Sequence, residues 1–356
     1  MDLDAPRHRI DEIDHHIVEL LNERANLALQ VGAIKAQEGR SVHDPQRENQ
    51  VYANLETANR GPLGNDALRA IYREVIATMS ELQRPRTVAF LGPPATFSHE
   101  AARLHFGTTA RFIPAKTIAE VFAMAEKGTA DQGLVPVENS TDGVVGHTLD
   151  LLADTELKIC AEIPLPISHH LLSCGSLDAI RRVYSHPQAL AQCRNWLGSN
   201  LPNAELIEVS STARAAEMVV SDPTAAAISN ELAAEVYGLA ILQRRIEDNP
   251  FNYTRFLVIG NSMCARTGDD RTAVVFSIKD RVGALHDTLE IFLRYGVNLT
   301  RIESRPSRRK AWDYVFFVDA IGHPEDPSLE AALSDLAKEC VYVRVLGSWP
   351  KAYAGK

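Results

Sequence analysis

Residues 86–102 read RTVAFLGPPATFSHEAA, and this stretch marks where the chain changes from helical to mixed α/β sequence. Thr87–Leu91 is a short apolar and β-branched run, which is typical of a strand. It leads into the turn signal Gly92-Pro93-Pro94 and then into apolar residues at helical spacing. Strand, turn and helix in this order form the repeating unit of α/β proteins.

The same unit recurs downstream of this stretch. Further strands are predicted at Gly133–Val137, Val183–Tyr184, Leu206–Val209, Ala226–Ile228 and Phe256–Ile259. Several of them end in hydroxyl or amide side chains before a helix, where backbone N–H groups bind anions and where open α/β sheets bind ligands. Serine and threonine cap helices in every class of protein, so one such strand end alone is a weak indication of a site.

Upstream of residue 86 the sequence contains helical patterns only. The first predicted helix runs from about Pro6 to Glu38, because apolar residues recur every three or four positions without an internal proline. It is roughly 50 Å long, more than a small domain can cover, so we expect it to pair with a second chain. Two shorter helices follow, one after Asp44-Pro45 and one at about Asn65–Leu82.

After Gly260 the polar segment Asn261–Asp270 is predicted to be a linker. The tail beyond it has the order βαββαβ, the ferredoxin-like unit. Its elements are predicted at Thr272–Ile278, Ala284–Tyr295, Val297–Ser304, Asp313–Ala320, Ser328–Leu336 and Val341–Leu346. The predicted domains are therefore an all-α domain at 1–84, an α/β domain at 86–262 and an α+β tail at 270–356.

The composition limits the classes of function. A formal net charge of −9 over 356 residues disfavours a nucleic-acid or anionic-membrane binder. No apolar run approaches the roughly 18 residues that span a bilayer, and the polar N-terminus lacks a signal-peptide core. The five scattered cysteines indicate a reducing cytoplasm rather than a disulfide or zinc framework. Neither a G-x-G-x-x-G nor a P-loop motif is present, so no nucleotide cofactor is expected, and no metal.

Cations interrupt the apolar stripe of the first helix. Arg24 falls on that stripe, and Lys35 points almost the same way eleven residues later. Arg7 lies about 100° off this face and could join the other two only from a second chain. Arg24 could instead keep its head in solvent or pair with Glu19 or Glu23, which is the alternative explanation.

Three segments of this region, RHRIDEID (7–14), LLNERANLALQVGAIK (20–35) and VHDPQREN (42–49), resemble the all-helical chorismate mutases. The resemblance implies that arginines hold the two carboxylates of chorismate, namely Arg7 of the other subunit, Arg24 and Arg47. It also implies hydrogen bonds to the ether oxygen from Lys35 and Gln83, and to the ring hydroxyl from Glu48 with Asp44 close by. Rearrangement of chorismate to prephenate needs no nucleophile, so positioning and charge stabilisation suffice.

Four segments of the α/β region, GPPATFSHEAA (92–102), PVENSTDG (136–143), SHPQALAQC (185–193) and NYTRF (252–256), are similar to prephenate dehydratase. That family has a two-lobed α/β fold like that of periplasmic binding proteins. The resemblance makes Thr254 the main catalytic hydroxyl and Arg255 a substrate ligand. The other implied cleft residues are Ser98, which is also the predicted N-cap of its helix, Glu138, Asn139, Ser140, Thr141, Ser185, Gln192, Thr212 and Phe256.

Prephenate loses CO₂ and its ring hydroxyl together as an aromatic ring forms. The enzyme need only help the hydroxyl to leave, with a general acid or a hydrogen-bond donor. Thr254 has a hydroxyl to donate, and Glu138 is the better acid if burial raises its pKa. The sequence leaves both open. His186, beside Pro187, is interpreted as a packing residue.

The tail resembles the phenylalanine-binding ACT domain, through GAL (283–285) and ESRP (303–306). The implied effector residues are Gly283, Ala284, Leu285, Asn298, Leu299, Glu303, Ser304, Arg305 and Pro306. L-Phenylalanine would bind between two tails and inhibit the dehydratase, and deletion of residues 265–356 would abolish the inhibition. A purely structural dimerisation module is the alternative for such a fold.

All three resemblances fall in one order over nearly the whole chain, as in the bifunctional chorismate mutase–prephenate dehydratases of phenylalanine biosynthesis. They imply a cytoplasmic homodimer that acts on chorismate and prephenate. The alternatives are an arogenate-preferring dehydratase and a non-catalytic amino-acid-binding regulatory protein. An NAD-dependent dehydrogenase fusion is disfavoured, because its nucleotide-binding motif is missing.

Overall fold

A computed structural model describes residues 3–38, 45–83, 86–107, 110–279, 281–306 and 314–351. Contacts between Cα atoms divide the chain into two compact units. One unit is Met1–Arg86 with Thr109–Arg111, and the other is Thr87–Thr108 with Phe112–Lys356. None of the described helices is both long enough and apolar enough to cross a membrane.

The first unit contains three helices, as predicted. They are α1 (Asp4–Gln37), α2 (Pro45–Ala58) and α3 (Asn65–Gln83), and both α1 and α2 pack on α3. Ile76 and Met79 of α3 are buried. Many apolar side chains of α1 are instead about half exposed, namely Ile10, Ile13, Ile17, Leu20, Leu27, Val31 and Ile34.

Strands and helices alternate from residue 87 to the linker. In chain order these elements are β1 (Thr87–Leu91), α4 (Phe97–Phe106), β2 (Arg111–Ala115), α5 (Ile118–Glu126), β3 (Gln132–Asn139), β4 (Gly143–Val144), α6 (Gly146–Asp154), β5 (Lys158–Pro166), β6 (His170–Ser173), β7 (Arg182–Ser185), α7 (Pro187–Gln192), α8 (Arg194–Asn200), β8 (Glu205–Glu208), α9 (Thr212–Met218), β9 (Ala225–Ser229), α10 (Glu231–Tyr237), β10 (Ala240–Gln243) and β11 (Tyr253–Gly260). The tail adds β12 (Asp270–Ser277), α11 (Ala284–Arg294), β13 (Leu299–Pro306), β14 (Tyr314–Ile321), α12 (Pro327–Glu339) and β15 (Tyr342–Pro350).

These strands form two sheets, which confirms the predicted two-lobed α/β fold with a βαββαβ tail. The smaller sheet has the order β10-β6-β9-β7-β8. The larger runs β13-β14-β12-β15-β5-β11-β3-β1-β2, with β4 beside β3. Every predicted strand is present, but β2, β4, β5, β6 and β10 were missed. Two prolines near the end of β5, Pro164 and Pro166, are unfavourable in a strand interior and concealed it.

The tail shares its sheet and its core with the α/β region. Strand β15 touches β5 through one parallel pair, Gly347 with Ile159. A Cβ atom on Gly347 would lie 2.2 Å from the carbonyl oxygen of Ile159, so only glycine fits there. One apolar cluster includes Val275 and Trp349 from the tail and Leu257 from β11. Residues 261–269 contain no helix or strand, and the tail beyond them is not a separate packing unit.

Candidate active site

A cleft of about 450 Å³ lies where residues of the two sheets of the second unit meet. It is lined by strand ends and by the starts of helices, as the sequence predicted for an α/β ligand site. The structure brings together six of the predicted residues here, namely Ser98, Asn139, Gln192, Thr212, Thr254 and Phe256. Ser98 and Thr212 are buried, whereas Lys116, Gln188 and Ser210 of the same lining are exposed, so the cleft opens to solvent on one side.

Thr254 lies opposite Asn139 in the antiparallel pair of β11 and β3. The Nδ2 group of Asn139 donates to Thr254 Oγ1 over 2.8 Å and to Asn252 Oδ1 over 3.0 Å. The backbone N–H groups of Thr141 and Asp142 donate to Asn139 Oδ1. Because Thr254 accepts this hydrogen bond, its own hydroxyl hydrogen is left for another acceptor.

A second group of amides adjoins this pair. Asn252, which is buried, donates from Nδ2 to Gln192 Oε1 over 3.1 Å. The same oxygen lies 2.8 Å from Nε2 of His169. Burial lowers the pKa of His169 below 6.5, so the ring is neutral at physiological pH. The ring of Phe97 meets it edge-on, with the centroids 5.5 Å apart.

Helix starts supply further polar groups, and one prediction about them is wrong. The N-cap of α4 is Thr96, whose Oγ1 accepts from the backbone of His99, while Ser98, the predicted N-cap, lies in the first turn. His186 is the N-cap of α7, and its Nδ1 accepts a local hydrogen bond from the backbone of Gln188. Its side chain also lines the cleft. Ser211 caps α9 in the same way.

Five predicted residues do not line the cleft, and three of them carry hydroxyl groups. Ser185 is fully buried and donates to the carbonyl of Ile228 over 2.7 Å. Ser140 accepts from the backbone of Tyr253, and Thr141 Oγ1 lies 3.4 Å from Asn252 Oδ1. The hydroxyls of Ser140 and Thr141 support the loop after β3, next to the cleft.

Glu138 and Arg255 lie on the other face of the sheet, because successive side chains of a strand point to opposite sides. Arg255 Nε lies 2.8 Å from Glu162, and its Nη1 lies 2.8 Å from Asp319 of β14. Arg271 of β12 also pairs with Glu162, at 2.6 Å. Burial alone would lower the pKa of Arg255, but Asp319 and Glu162 outweigh it and raise that pKa.

Glu138 completes this reverse face. It accepts from Nε of Arg301 in β13 over 3.1 Å. Glu138, Arg255 and their partners line a second cavity of about 400 Å³ between the α/β strands and the tail strands. The placement of Glu138 and Arg255 therefore disagrees with the sequence prediction that both belong to the cleft.

Sequence reasoning missed several cleft residues. Asn252 is the first residue of the NYTRF segment (252–256), but it was given no role, and membership of this segment was its only signal. His169 precedes the unpredicted strand β6, and Lys116 follows the unpredicted strand β2. Among the described residues that line the cleft, Lys116 is the one lysine or arginine.

Known proteins resemble this chain in all three of its parts. Three family models match successive parts of the chain: Chorismate mutase type II at residues 6–84, Prephenate dehydratase at 88–264 and ACT domain at 272–338. A bifunctional chorismate mutase/prephenate dehydratase of Aquifex aeolicus is 47% identical over 351 residues, which is 97% of each chain. The chain belongs to this bifunctional family. It is therefore a chorismate mutase joined to a prephenate dehydratase, with a C-terminal ACT domain.

Solved structures resemble the dehydratase and ACT parts together. A prephenate dehydratase of Arthrobacter aurescens in complex with L-Phe superposes with a TM-score of 0.69. It is 38% identical and covers 75% of this chain and 90% of its own. A structure described as GqqA, a novel type of quorum quenching acylase, gives a TM-score of 0.70 at 31% identity, over 75% of this chain and 98% of its own.

The mutase domain carries its predicted cations on two helices. Arg24 and Lys35 are half-buried on α1, while Arg7 on α1 and Arg47 on α2 are exposed. Asp44 and the side chains of Glu48 and Gln83 lie outside the described residues. Their predicted roles, like those of the four cations, stay predictions.

The ACT domain places its predicted effector residues at two adjoining elements. Gly283 precedes α11 with a φ of +80°, a conformation that favours glycine, and Ala284 and Leu285 begin that helix. Asn298 precedes β13, and Leu299, Glu303, Ser304, Arg305 and Pro306 lie on β13. Arg305 binds Asp150 of α6 with two hydrogen bonds, of 2.9 and 3.2 Å, so its guanidinium faces the dehydratase domain.

One group in the described chain has the spacing of metal ligands. His286, Asp287 and Glu290 on α11 present ligand atoms within 4.8 Å of one another. Asp287 already pairs with Arg281 and with His286. Such mixed groups are common on helix surfaces, and this one carries no functional assignment.

Proposed function

We propose that the mutase domain rearranges chorismate to prephenate, and that the cleft around Thr254 converts prephenate to phenylpyruvate. Family membership supports both reactions. The observation that carries the second assignment is the hydrogen bond from Asn139 to Thr254 at 2.8 Å. It occupies a lone pair of the Thr254 oxygen and leaves the hydroxyl hydrogen for a ligand in the cleft.

Thr254 is proposed to donate this hydrogen to the C4 hydroxyl of prephenate as that group leaves. The carboxylate attached directly to the ring is lost as CO₂ at the same time. The electron pair of the broken carbon–carbon bond completes the aromatic ring. An ordinary threonine is a poor acid, so we assign it a polarising hydrogen bond that strengthens as negative charge builds on the leaving oxygen. Water in the cleft would then complete the proton transfer.

Glu138 is a weaker candidate for the acid. Its carboxylate accepts from Arg301 on the reverse face of the sheet, and the cleft lies on the opposite face. Arg255 faces the same side, so we assign it to the structure of the dehydratase domain rather than to substrate binding.

The remaining cleft residues are proposed to bind the two carboxylates and the ring. Lys116 supplies a positive charge, and the start of α4 at Phe97 and Ser98 supplies backbone N–H groups and a helix dipole. Phe256 is buried and supplies an apolar surface. Together they suit a dianion with a hydrocarbon ring.

In the mutase domain we propose that Arg24 and Arg47 bind carboxylates while Lys35 binds the ether oxygen. Arg7 is proposed to act across a homodimer interface. Support comes from α1, a helix of 34 residues whose apolar side chains are about half exposed within one chain. A second copy of the same helix would cover them.

Mixing two inactive variants tests the dimer. Arg7→Ala and Arg24→Ala chains should each lack mutase activity. A refolded equal mixture should regain about a quarter of the normal rate, because random pairing restores one complete site in each mixed dimer. No recovery, with mixed dimers demonstrated by mass, would contradict the shared site.

The ACT domain is proposed to bind L-phenylalanine and to inhibit the dehydratase. The Arthrobacter aurescens relative was solved in complex with L-Phe. Ser304 and Asn298 are exposed at β13 and available to a ligand between two chains. Ser304→Ala should weaken inhibition by L-phenylalanine, while Ser328→Ala, an exposed serine on α12, should not.

We also propose a cytoplasmic location, which the five free cysteines support. The decisive assay follows purified full-length protein on chorismate, with the loss of chorismate and the gain of phenylpyruvate measured separately. Prephenate and arogenate are compared as direct substrates of the dehydratase. Failure to consume chorismate would refute the mutase assignment. A higher dehydratase rate on arogenate than on prephenate would show that arogenate is the preferred substrate.

A further inference from the structure

We infer that His169 is a positioning residue of the dehydratase: its Nε2–H, together with Nδ2 of Asn252, holds Oε1 of Gln192, so that the amide N–H groups of Gln192 are directed to the cleft. The inference rests on the proposed function of this cleft. Its starting point is that amide and imidazole groups can be oriented in two ways, and that a chain of contacts can fix the choice.

This chain of contacts is fixed at one end by the backbone. The N–H groups of Thr141 and Asp142 lie 2.9 and 3.1 Å from Oδ1 of Asn139. Backbone N–H groups can only donate, so the atom they meet must be the amide oxygen. Asn139 therefore turns its Nδ2 group toward Asn252 and Thr254.

Each further contact follows from this one. Asn252 must meet the Nδ2 group of Asn139 with its oxygen, so its own Nδ2 faces Gln192. Gln192 must in turn meet that group with Oε1. His169 reaches the same oxygen from Nε2 over 2.8 Å, so Nε2 must carry the hydrogen.

Two consequences appear in the buried polar atoms. Nδ1 of His169 and Nε2 of Gln192 are buried and have no hydrogen-bond partner among the described residues. For His169 this matches a neutral ring with a bare Nδ1, and its pKa is lowered chiefly by burial. For Gln192, whose side chain lines the cleft, it leaves the amide nitrogen without an acceptor in the described part of the chain.

The site of the ring is itself firmly held. His169 is 2% exposed, its backbone N–H donates to Glu247 over 2.9 Å, and its carbonyl accepts from Ile246. A ring held this firmly can orient Gln192 with little loss of entropy. Without the Nε2–H donor, only Nδ2 of Asn252 would hold Oε1 of Gln192, and the amide would be less firmly fixed in the orientation that directs its N–H groups to the cleft.

The test compares two amide substitutions. His169→Gln can place an amide N–H near the position of Nε2, whereas the shorter side chain of His169→Asn reaches only the position of Nδ1. We expect His169→Asn to lower the dehydratase kcat/KM about tenfold or more, the usual effect of leaving one buried hydrogen bond unmade, and His169→Gln to recover most of it. Equal loss in both variants would overturn the proposal.

Two controls separate this role from a structural one. His170→Asn alters the neighbouring buried histidine, whose Nδ1 accepts from the backbone of Arg245, and should leave the dehydratase kcat/KM near normal. The mutase rate of the same chains reports the amount of folded protein. A loss of both rates in His169→Asn would indicate misfolding, and the proposal then depends on the spectroscopic measurement below.

Nitrogen-15 NMR of histidine-labelled protein measures the tautomer directly. His169 should show a protonated Nε2 and a bare Nδ1, and should stay neutral at a pH where exposed histidines are charged. A hydrogen on Nδ1, or a charged ring at neutral pH, would overturn the assignment. If the unaltered protein shows no dehydratase activity at all, the proposed function fails, while the tautomer measurement still decides the direction of this chain of hydrogen bonds.

Discussion

The two faces of the strand pair β3 and β11 differ in what they contact, although their residues alternate along the same backbone. Asn139 and Thr254 face a cleft lined by hydroxyls, amides and helix starts. Glu138 and Arg255, their immediate neighbours, face carboxylates and guanidinium groups of the tail strands. One face is uncharged apart from Lys116 and suits a ligand, and the other is charged but internally neutralised. Adjacent residues of one strand can thus serve two purposes, one on each side of the sheet.

The largest effect should come from the cleft face. Thr254→Ala removes the donor proposed for the leaving hydroxyl, so dehydratase kcat should fall about a thousandfold, the size seen for preorganised donors. Thr254→Ser should retain much of the rate, because it keeps the hydroxyl. Stability of the second unit and the mutase rate should change little. An equal fall in both activities would argue against separate sites.

The next effect should come from the reverse face and should appear as stability. Arg255→Gln leaves the carboxylates of Asp319 and Glu162, both only 6% exposed, without this cation. Arg271 still pairs with Glu162, so we expect the free energy of unfolding to fall by about 3 kcal/mol, the low end for breaking a buried pair. Urea unfolding of the full chain measures it.

Arg182→Gln is the matched control, because its pair with Asp222 is about one-third exposed and should change the free energy of unfolding by less than about 1 kcal/mol. The dehydratase rate per folded Arg255→Gln molecule should fall far less than that of Thr254→Ala. A thousandfold loss of dehydratase rate at unchanged stability would instead support the sequence prediction that Arg255 binds the substrate.

A smaller effect is expected for Glu138→Gln. Its carboxylate is 39% exposed and pairs with Arg301, so kcat of the dehydratase should fall less than about fivefold. The pH profile of kcat should keep its shape. If Glu138 were the general acid, the loss would be about a hundredfold or more, and one limb of the profile would disappear.

The smallest effect concerns the pH dependence of stability and compares three buried or half-buried histidines of the dehydratase domain with an exposed one. Burial lowers the pKa values of His99, His169 and His170 below the ordinary 6.5. The unfolded chain then binds protons first as pH falls, so the free energy of unfolding should decrease below about pH 6.5, by at most about 1.4 kcal/mol per pH unit for each group. Glu100, whose pKa burial raises, opposes this nearer pH 4.5.

Replacement of one histidine in each class checks the assignment. His170→Asn should flatten the dependence of the unfolding free energy on pH between 6.5 and 5, and His147→Asn, at an exposed position of α6, should not. Equal slopes in all three proteins would show that these rings do not govern acid stability.

Sequence reasoning reached the fold through periodicity, and it failed where local signals conflict. The helices of the first unit and all the elements of the tail were predicted within a few residues, because their apolar spacing is regular. Strand β5 was missed because Pro164 and Pro166 contradict its strand character. Its burial depends on β11, which lies about a hundred residues away and cannot be seen in a local window.

The sequence predicted which segments form the candidate site better than it predicted which of their residues face the cleft. Thr254 and Asn139 were found, yet Glu138 and Arg255 were grouped with them, because a segment resemblance does not record which way a strand is turned. A one-residue alternation decides that, and the decisive partners Asp319 and Arg301 come from the tail. His169 could not be predicted because two facts were missing from the sequence, namely the position of β6 and the contact of the His169 ring with Gln192.

The single backbone contact between Gly347 and Ile159 bears on how such an enzyme can be divided. A chain cut at the linker would expose the outer hydrogen-bonding edge of β5 and would remove Val275, Phe317, Leu346 and Trp349 from a shared core. Loss of inhibition after such a cut would therefore not locate the sensor, since the remaining dehydratase would be prone to aggregate. A division near Arg86, where the first compact unit ends, would instead keep the dehydratase and its regulator together as one piece.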